Sequence, residues 1–125
     1  MTLANIALHL EQQSLGTRGT DIFIDMMGAE LSTGITLRQW GGNWDENYNG
    51  LIREAVFQAV IRGAHYAAAQ EKMEAVLPAL TIRQRTIGTA YYYFVHPMQD
   101  PIPFGREAAG VTTFVVNCIT KYRLI

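Results

Sequence analysis

Residues 111–122, VTTFVVNCITKY, decide how the rest of this chain is read. Side chains alternate across a strand, so Phe114, Val116, Cys118 and Tyr122 share one face. Val115, Asn117, Ile119 and Lys121 share the other. The run is dense in residues that fit a pleated, half-buried surface, and it is the clearest strand in the sequence.

Moving towards the N-terminus, residues 96–110 hold three prolines and two glycines with few periodic apolar positions. Proline donates no ladder hydrogen bond, so this stretch is expected to be an irregular connection that cannot join a sheet interior. Thr89 to Val95 contains Tyr91, Tyr92, Tyr93 and Phe94 and predicts a strand with aromatics on both faces. One of those faces must meet a helix layer or another subunit. Between His65 and Leu77 the stripe Tyr66, Ala69, Met73, Val76, Leu77 and Leu80 predicts a helix, with Pro78 marking its end. Arg53 to Arg62 fits either a helix or a strand. Its β-branched content and the stop at Gly63 favour a strand.

Residues 41–50, GGNWDENYNG, are rich in Gly, Asn and acidic side chains, which tolerate tight turns. They are expected to form an exposed loop carrying Trp44 and Tyr48. Ile35 to Trp40 alternates apolar and polar residues and predicts a strand, with Asp21 to Met27 as a further strand and its hairpin partner. Residues 2–15 predict a first helix, capped by Thr2 and followed by a turn at Gly16. The order helix, two strands, a strand, a helix and two strands implies an α+β fold. We expect one domain over residues 1–125, with a four- to five-stranded mixed or antiparallel sheet and two helices packed on one face.

The 125 residues are about half hydrophobic and carry a formal net charge of −1, enough for one core and no second domain. The ten Lys and Arg are spread along the chain, whereas phosphate binding along a duplex needs them clustered. Neither nucleic acid nor membrane is therefore an expected partner. The single cysteine, Cys118, excludes an internal disulfide and a Cys-based zinc site. The first ten residues lack the basic, apolar and cleavage segments of a secretory signal, and the protein is expected to stay in the cytoplasm where it is made.

No pattern for chemistry emerges. His9, His65 and His96 are far apart, outside any spacing that places two imidazoles on one side of an element. Ser14 and Ser32 lie in no nucleophile turn. Cys118 reads as a small core hydrophobe. Asp45 and Glu46 are adjacent in a polar loop, where both stay solvated and ionised. Gly41-Gly42 lacks the pattern of a phosphate cradle. Arg83 and Arg85 beside the tyrosine run imitate an aromatic and basic nucleic-acid platform, but no wider positive surface accompanies them in the sequence, so packing or a subunit contact is the better account. No catalytic residue, cofactor or metal is expected. What remains is more aromatic and apolar strand surface than two helices can cover, and such surface marks association.

The order of motifs resembles the bacteriophage minor capsid and tail-terminator family. The resemblance rests on Phe57-Gln-Ala-Val-Ile-Arg-Gly63, a helix opening His65-Tyr-Ala-Ala-Ala69, the connection Phe104-Gly-Arg-Glu107 and a closing strand ending Ile119-Thr-Lys-Tyr-Arg123. It covers about residues 21 to 123, and its pieces are short. The proline-rich connection and the loop at 41–50 have no counterpart in the family pattern. The resemblance implies a non-enzymatic virion protein, made in the host cytoplasm. It further implies a homo-oligomeric ring, typically hexameric, at the head-proximal end of the tail, in contact with the tail-tube protein and a head-completion protein. Trp40, Trp44, Tyr48, Tyr92, Phe104 and Arg106 are the expected subunit or partner contacts. Two alternatives are another tail or head-completion protein of tail-tube type, and a small oligomeric ligand-binding α+β domain in which His65, Tyr92 and Arg106 converge.

Overall fold

A computed structural model describes residues 2–25, 33–44, 52–106 and 110–125. The elements run α1 (Thr2–Gln12), β1 (Ile22–Ile24), β2 (Gly34–Trp44), β3 (Arg53–Gly63), α2 (Tyr66–Ala79), β4 (Ile82–Ile87), β5 (Ala90–Pro97), β6 (Ile102–Arg106) and β7 (Thr112–Leu124). All strands belong to one mixed sheet of order β1-β2-β3-β7-β5-β4. The α+β expectation holds, but the sheet has seven strands instead of four or five.

β7 organises the sheet, as its alternation predicts. Along one side it pairs antiparallel with β3, from Arg53–Tyr122 to Gly63–Thr112. Along the other it is shared by β5, from Ala90–Leu124 to Pro97–Cys118, and by β6, which pairs Ile102 with Val115 and Arg106 with Thr112. Residues 53–63 form a strand, and its buried positions Ala55, Phe57, Ala59 and Ile61 alternate with half-buried ones. These join Phe114, Val116 and Cys118 of β7, Ile35 and Leu37 of β2, and Tyr92 and Val95 of β5 in one core. Leu3, Ile6 and Leu10 of α1 and Ala69, Met73 and Val76 of α2 cover that face of the sheet. Each large side chain so buried contributes roughly 1.5–3 kcal/mol from the water it sheds.

Gly63 shows why the strand stops where it does. A Cβ there would overlap the backbone N of Ala69, so only glycine lets the end of β3 run beneath the first turn of α2. His65 caps that helix: its Nδ1 accepts from the Ala68 N–H at 3.2 Å. At the opposite helix, Asn5 clamps the β4–β5 turn. Its Oδ1 accepts from Thr89 N–H and its Nδ2 donates to Thr89 Oγ1, both at 3.4 Å. Gly88, with φ of 58°, presses its open face against the same side chain.

Several expectations are corrected. β1 runs parallel to β2, pairing Ile22 with Ile35, so the two do not form a hairpin. β2 continues through Gly41, Gly42 and Asn43 to Trp44, paired with Val56, Ala55, Glu54 and Arg53 after a register shift between Gln39 and Gly41. The first part of the expected loop is thus strand, because β3 offers a ladder long enough to overrule the glycines. Residues 45–50 lie outside the described residues, as do 26 and 27 of the first expected strand.

β4 has no clear sequence pattern, because only Ile82 and Ile87 of its six residues are buried. β6 falls inside the expected irregular connection. Pro103 is tolerated there because its strand pairs on one side only, as proline in a sheet requires. α1 ends at Gln12, three residues early, where Ser14 and Gly16 both take positive φ. α2 runs past Pro78 to Ala79 and closes on Leu80, whose N–H donates to Val76 O and Leu77 O at 3.1 Å. Tyr66, expected in its apolar stripe, is 45 % exposed, although its ring still meets Phe114.

Candidate assembly surfaces

The strand register places Trp44 at one end of the sheet and Phe104 and Arg106 towards the other. Trp44 closes β2 opposite Arg53, which pairs with Tyr122. Phe104 and Arg106 lie in β6, where Arg106 pairs with Thr112. Ten residues of β7 separate Thr112 from Tyr122, a distance of roughly 33 Å at strand rise. Trp40 stands at the register shift of β2. The side chains of Trp40, Trp44, Phe104 and Arg106, and all of Tyr48, lie outside the described parts of the structure.

Tyr92 is a correction: its side chain is fully buried, with its ring 5.7 Å from that of Tyr122. It is a core residue. Burial, foremost, pushes its hydroxyl pKa up to about 12. The convergence of His65, Tyr92 and Arg106 fails on the same register. His65 and Arg106 flank the Thr112 end of β7, whereas Tyr92 pairs with Tyr122 at the other.

Two other groups carry potential chemistry. Cys118 is buried, and burial raises its thiol to about 12, which leaves it without thiolate character near neutral pH. His9 is 3 % exposed. Its Nε2 lies 3.0 Å from Ala79 O. A carbonyl only accepts, so Nε2 carries the proton and donates, tying α1 to the end of α2. His9 borders a cleft of about 240 Å³ together with Gln13, Pro78, Thr81 and Arg85. Burial lowers its pKa, and the Arg85 charge lowers it further against the opposing hydrogen bond. Among the described residues, no three His, Cys, Asp or Glu converge as metal ligands, and no helix is long and apolar enough to cross a membrane.

The face of the sheet turned away from the helices holds strand surface beyond what the two helices cover, and its basic character is what the sequence did not reveal. Cross-strand neighbours share a face, and the register lays out its rows. Thr36, Val60, Val115 and Ile102 form one apolar row. Arg38, Gln58 and Asn117 form a polar one, in which Gln58 Nε2 donates to Asn117 Oδ1 at 3.2 Å. Val56, Ile119 and His96 follow, then Glu54, Lys121, Phe94 and Arg83. Phe94 stacks on His96 at 5.1 Å. The Arg123 guanidinium sits 5.4 Å from the centre of the Tyr91 ring. Basic residues scattered in sequence are thus gathered on one face by the topology.

Comparison with known proteins places this architecture. No curated protein matches the chain in sequence. In structure it is similar to a chain of the solved "Virion of native gene transfer agent (GTA) particle", with a TM-score of 0.69 and 16 % identity over 97 % of this chain and 93 % of that one. The likeness shows a shared fold. A family profile described as "Bacteriophage tail terminator protein" matches residues 9–124, from within α1 to the last residue of β7. The chain is a phage tail structural protein and belongs to the bacteriophage tail terminator family.

Proposed function

We propose that this protein closes into a homo-oligomeric ring, typically of six subunits, at the head-proximal end of the tail. There it ends growth of the tail tube and presents the finished tail to the head. The family match over nearly the whole chain carries this reading. The shared fold with a chain of a gene transfer agent virion supports a place in the virion. Its partners are further copies of itself, the tail-tube protein and a head-completion protein, and its role is geometric and not catalytic.

The two ends of the sheet, marked by Trp44 on one side and by Phe104 and Arg106 on the other, suit contacts with different neighbours, and Trp40 and Tyr48 are further contacts in this reading. A head-to-tail interface joins different patches of successive subunits, and it closes when the rotation per subunit divides a full turn. Light scattering coupled to size exclusion, with negative-stain imaging, tests the reading directly. Closed rings are expected. Long tubes would move the protein to a tail-tube role, and a monomer that does not bind isolated tail tubes would remove the terminator role.

A further inference from the structure

We infer that the helix-free face of the sheet is covered by helix α2 of a second copy of this chain. The inference rests on the ring reading above and assigns the surfaces that meet. β3 and β7 carry apolar residues on both faces: Val56, Val60, Val115 and Ile119 point away from the core that Phe57, Ile61, Phe114 and Val116 build. Strands that are apolar on both faces belong to sheets covered on both faces, yet both helices lie on one side. Among the described residues no second helix layer is present, and that layer is assigned to another chain.

Addition at a sheet edge is disfavoured at the margins that β1, β4 and β6 form. In β4, Gln84 takes a φ of 47° and the pairing skips from Arg83–Phe94 to Arg85–Tyr92. β1 has three residues and is followed by Asp25, with φ of 76°. β6 carries Pro103. Kinks, short strands and proline are how sheets avoid edge pairing, which favours the open face for association.

Charge and size identify the occupant. Among the described residues, the open face bears five basic side chains, Arg38, Arg62, Arg83, Lys121 and Arg123, against the single acid Glu54. The solvent side of α2 presents Glu71 and Glu74, both exposed. Four inter-strand steps of about 4.8 Å put β2 and β4 roughly 19 Å apart. Fourteen residues make α2 about 21 Å long, so it can lie across the sheet. Because the joined patches differ, the contact is head-to-tail, as a closed ring of identical subunits requires.

Two double variants test this, each made only of exposed residues: Arg38→Glu with Arg123→Glu on the sheet, and Glu71→Lys with Glu74→Lys on the helix. Each alone is expected to lose the oligomer and run as the 14.0 kDa monomer, with a melting temperature close to the unaltered chain's. Mixed in equal amounts they regain the oligomeric mass, because each reversed surface then meets its opposite. If both variants keep the ring, or if mixing fails to restore it, the inference falls while the ring reading stands. If both keep the ring and only the sheet variant loses salt-sensitive binding to duplex DNA, the basic face belongs to nucleic acid instead. An unaltered chain that stays monomeric at every concentration removes the ring and this inference together.

Discussion

Lowering the pH should weaken the fold through His9. The folded protein holds this imidazole below its ordinary value of 6.5, chiefly by burial, so the unfolded chain binds its proton more readily. Stability then rises with pH wherever the unfolded state carries the extra proton. The contribution is complete above about pH 6.5 and is lost as the pH falls from there towards the folded-state value. Full exclusion of the proton from the folded state sets the upper limit. At pH 5 that limit is RT ln(1 + 10^1.5), about 2 kcal/mol, and the slope cannot exceed about 1.4 kcal/mol per pH unit. Urea unfolding at pH 7.5 and pH 5, compared between the unaltered protein and His9→Gln, isolates this group from the carboxylates. Glutamine can keep an N–H donor for Ala79 O but takes up no proton. The variant should lose less stability between the two pH values, by up to the limit above. Equal losses in both proteins would refute the argument that a buried neutral imidazole joins the two helices.

Gly63→Ala should cost about 1–3 kcal/mol, the range for overpacking a filled site, because its Cβ meets the backbone of Ala69; thermal unfolding measures it. Phe57→Ala, at the centre of the core, should cost about 3–5 kcal/mol in urea. Asn5→Ala removes the clamp on Thr89 and should cost on the order of 1 kcal/mol, with faster hydrogen exchange confined to the β4–β5 turn. Trp44→Ala with Phe104→Ala should reduce the oligomer in ultracentrifugation without unfolding the subunit. An unchanged oligomer would reject these two residues as contacts.

The parts legible in the sequence were those where burial alternates without interruption. β7 and β3 bury every second residue through their length, and the period-two signal follows directly. β4 buries only its two end residues, so its exposed Arg83-Gln84-Arg85-Thr86 centre gave no period to find. The continuation of β2 through Gly41 and Gly42 was hidden for another reason: local turn preference there yields to pairing with β3, a partner that no local window contains. Tyr92 was misassigned because three adjacent tyrosines look alike. Pairing with Tyr122 turns Tyr92 inward, while Tyr91 turns out beneath Arg123. The basic open face was invisible for the same cause, since Arg38, Arg83 and Arg123 come to share one face of a sheet only once β3, β5 and β7 are in place.

The central position of β7 also bears on how the protein is made. β3 and β5 have no ladder to each other, and both wait for residues 112–124 as their common partner. At ~5–20 residues per second, the ribosome delivers this strand after every other described element of the sheet, so the sheet cannot close until residues 112–124 have been made. Non-local pairing of this kind also folds slowly. A chain cut short before Thr112 has two unjoined half-sheets and no continuous open face. Incomplete products are therefore excluded from assembly by the fold itself, before any neighbour has to reject them.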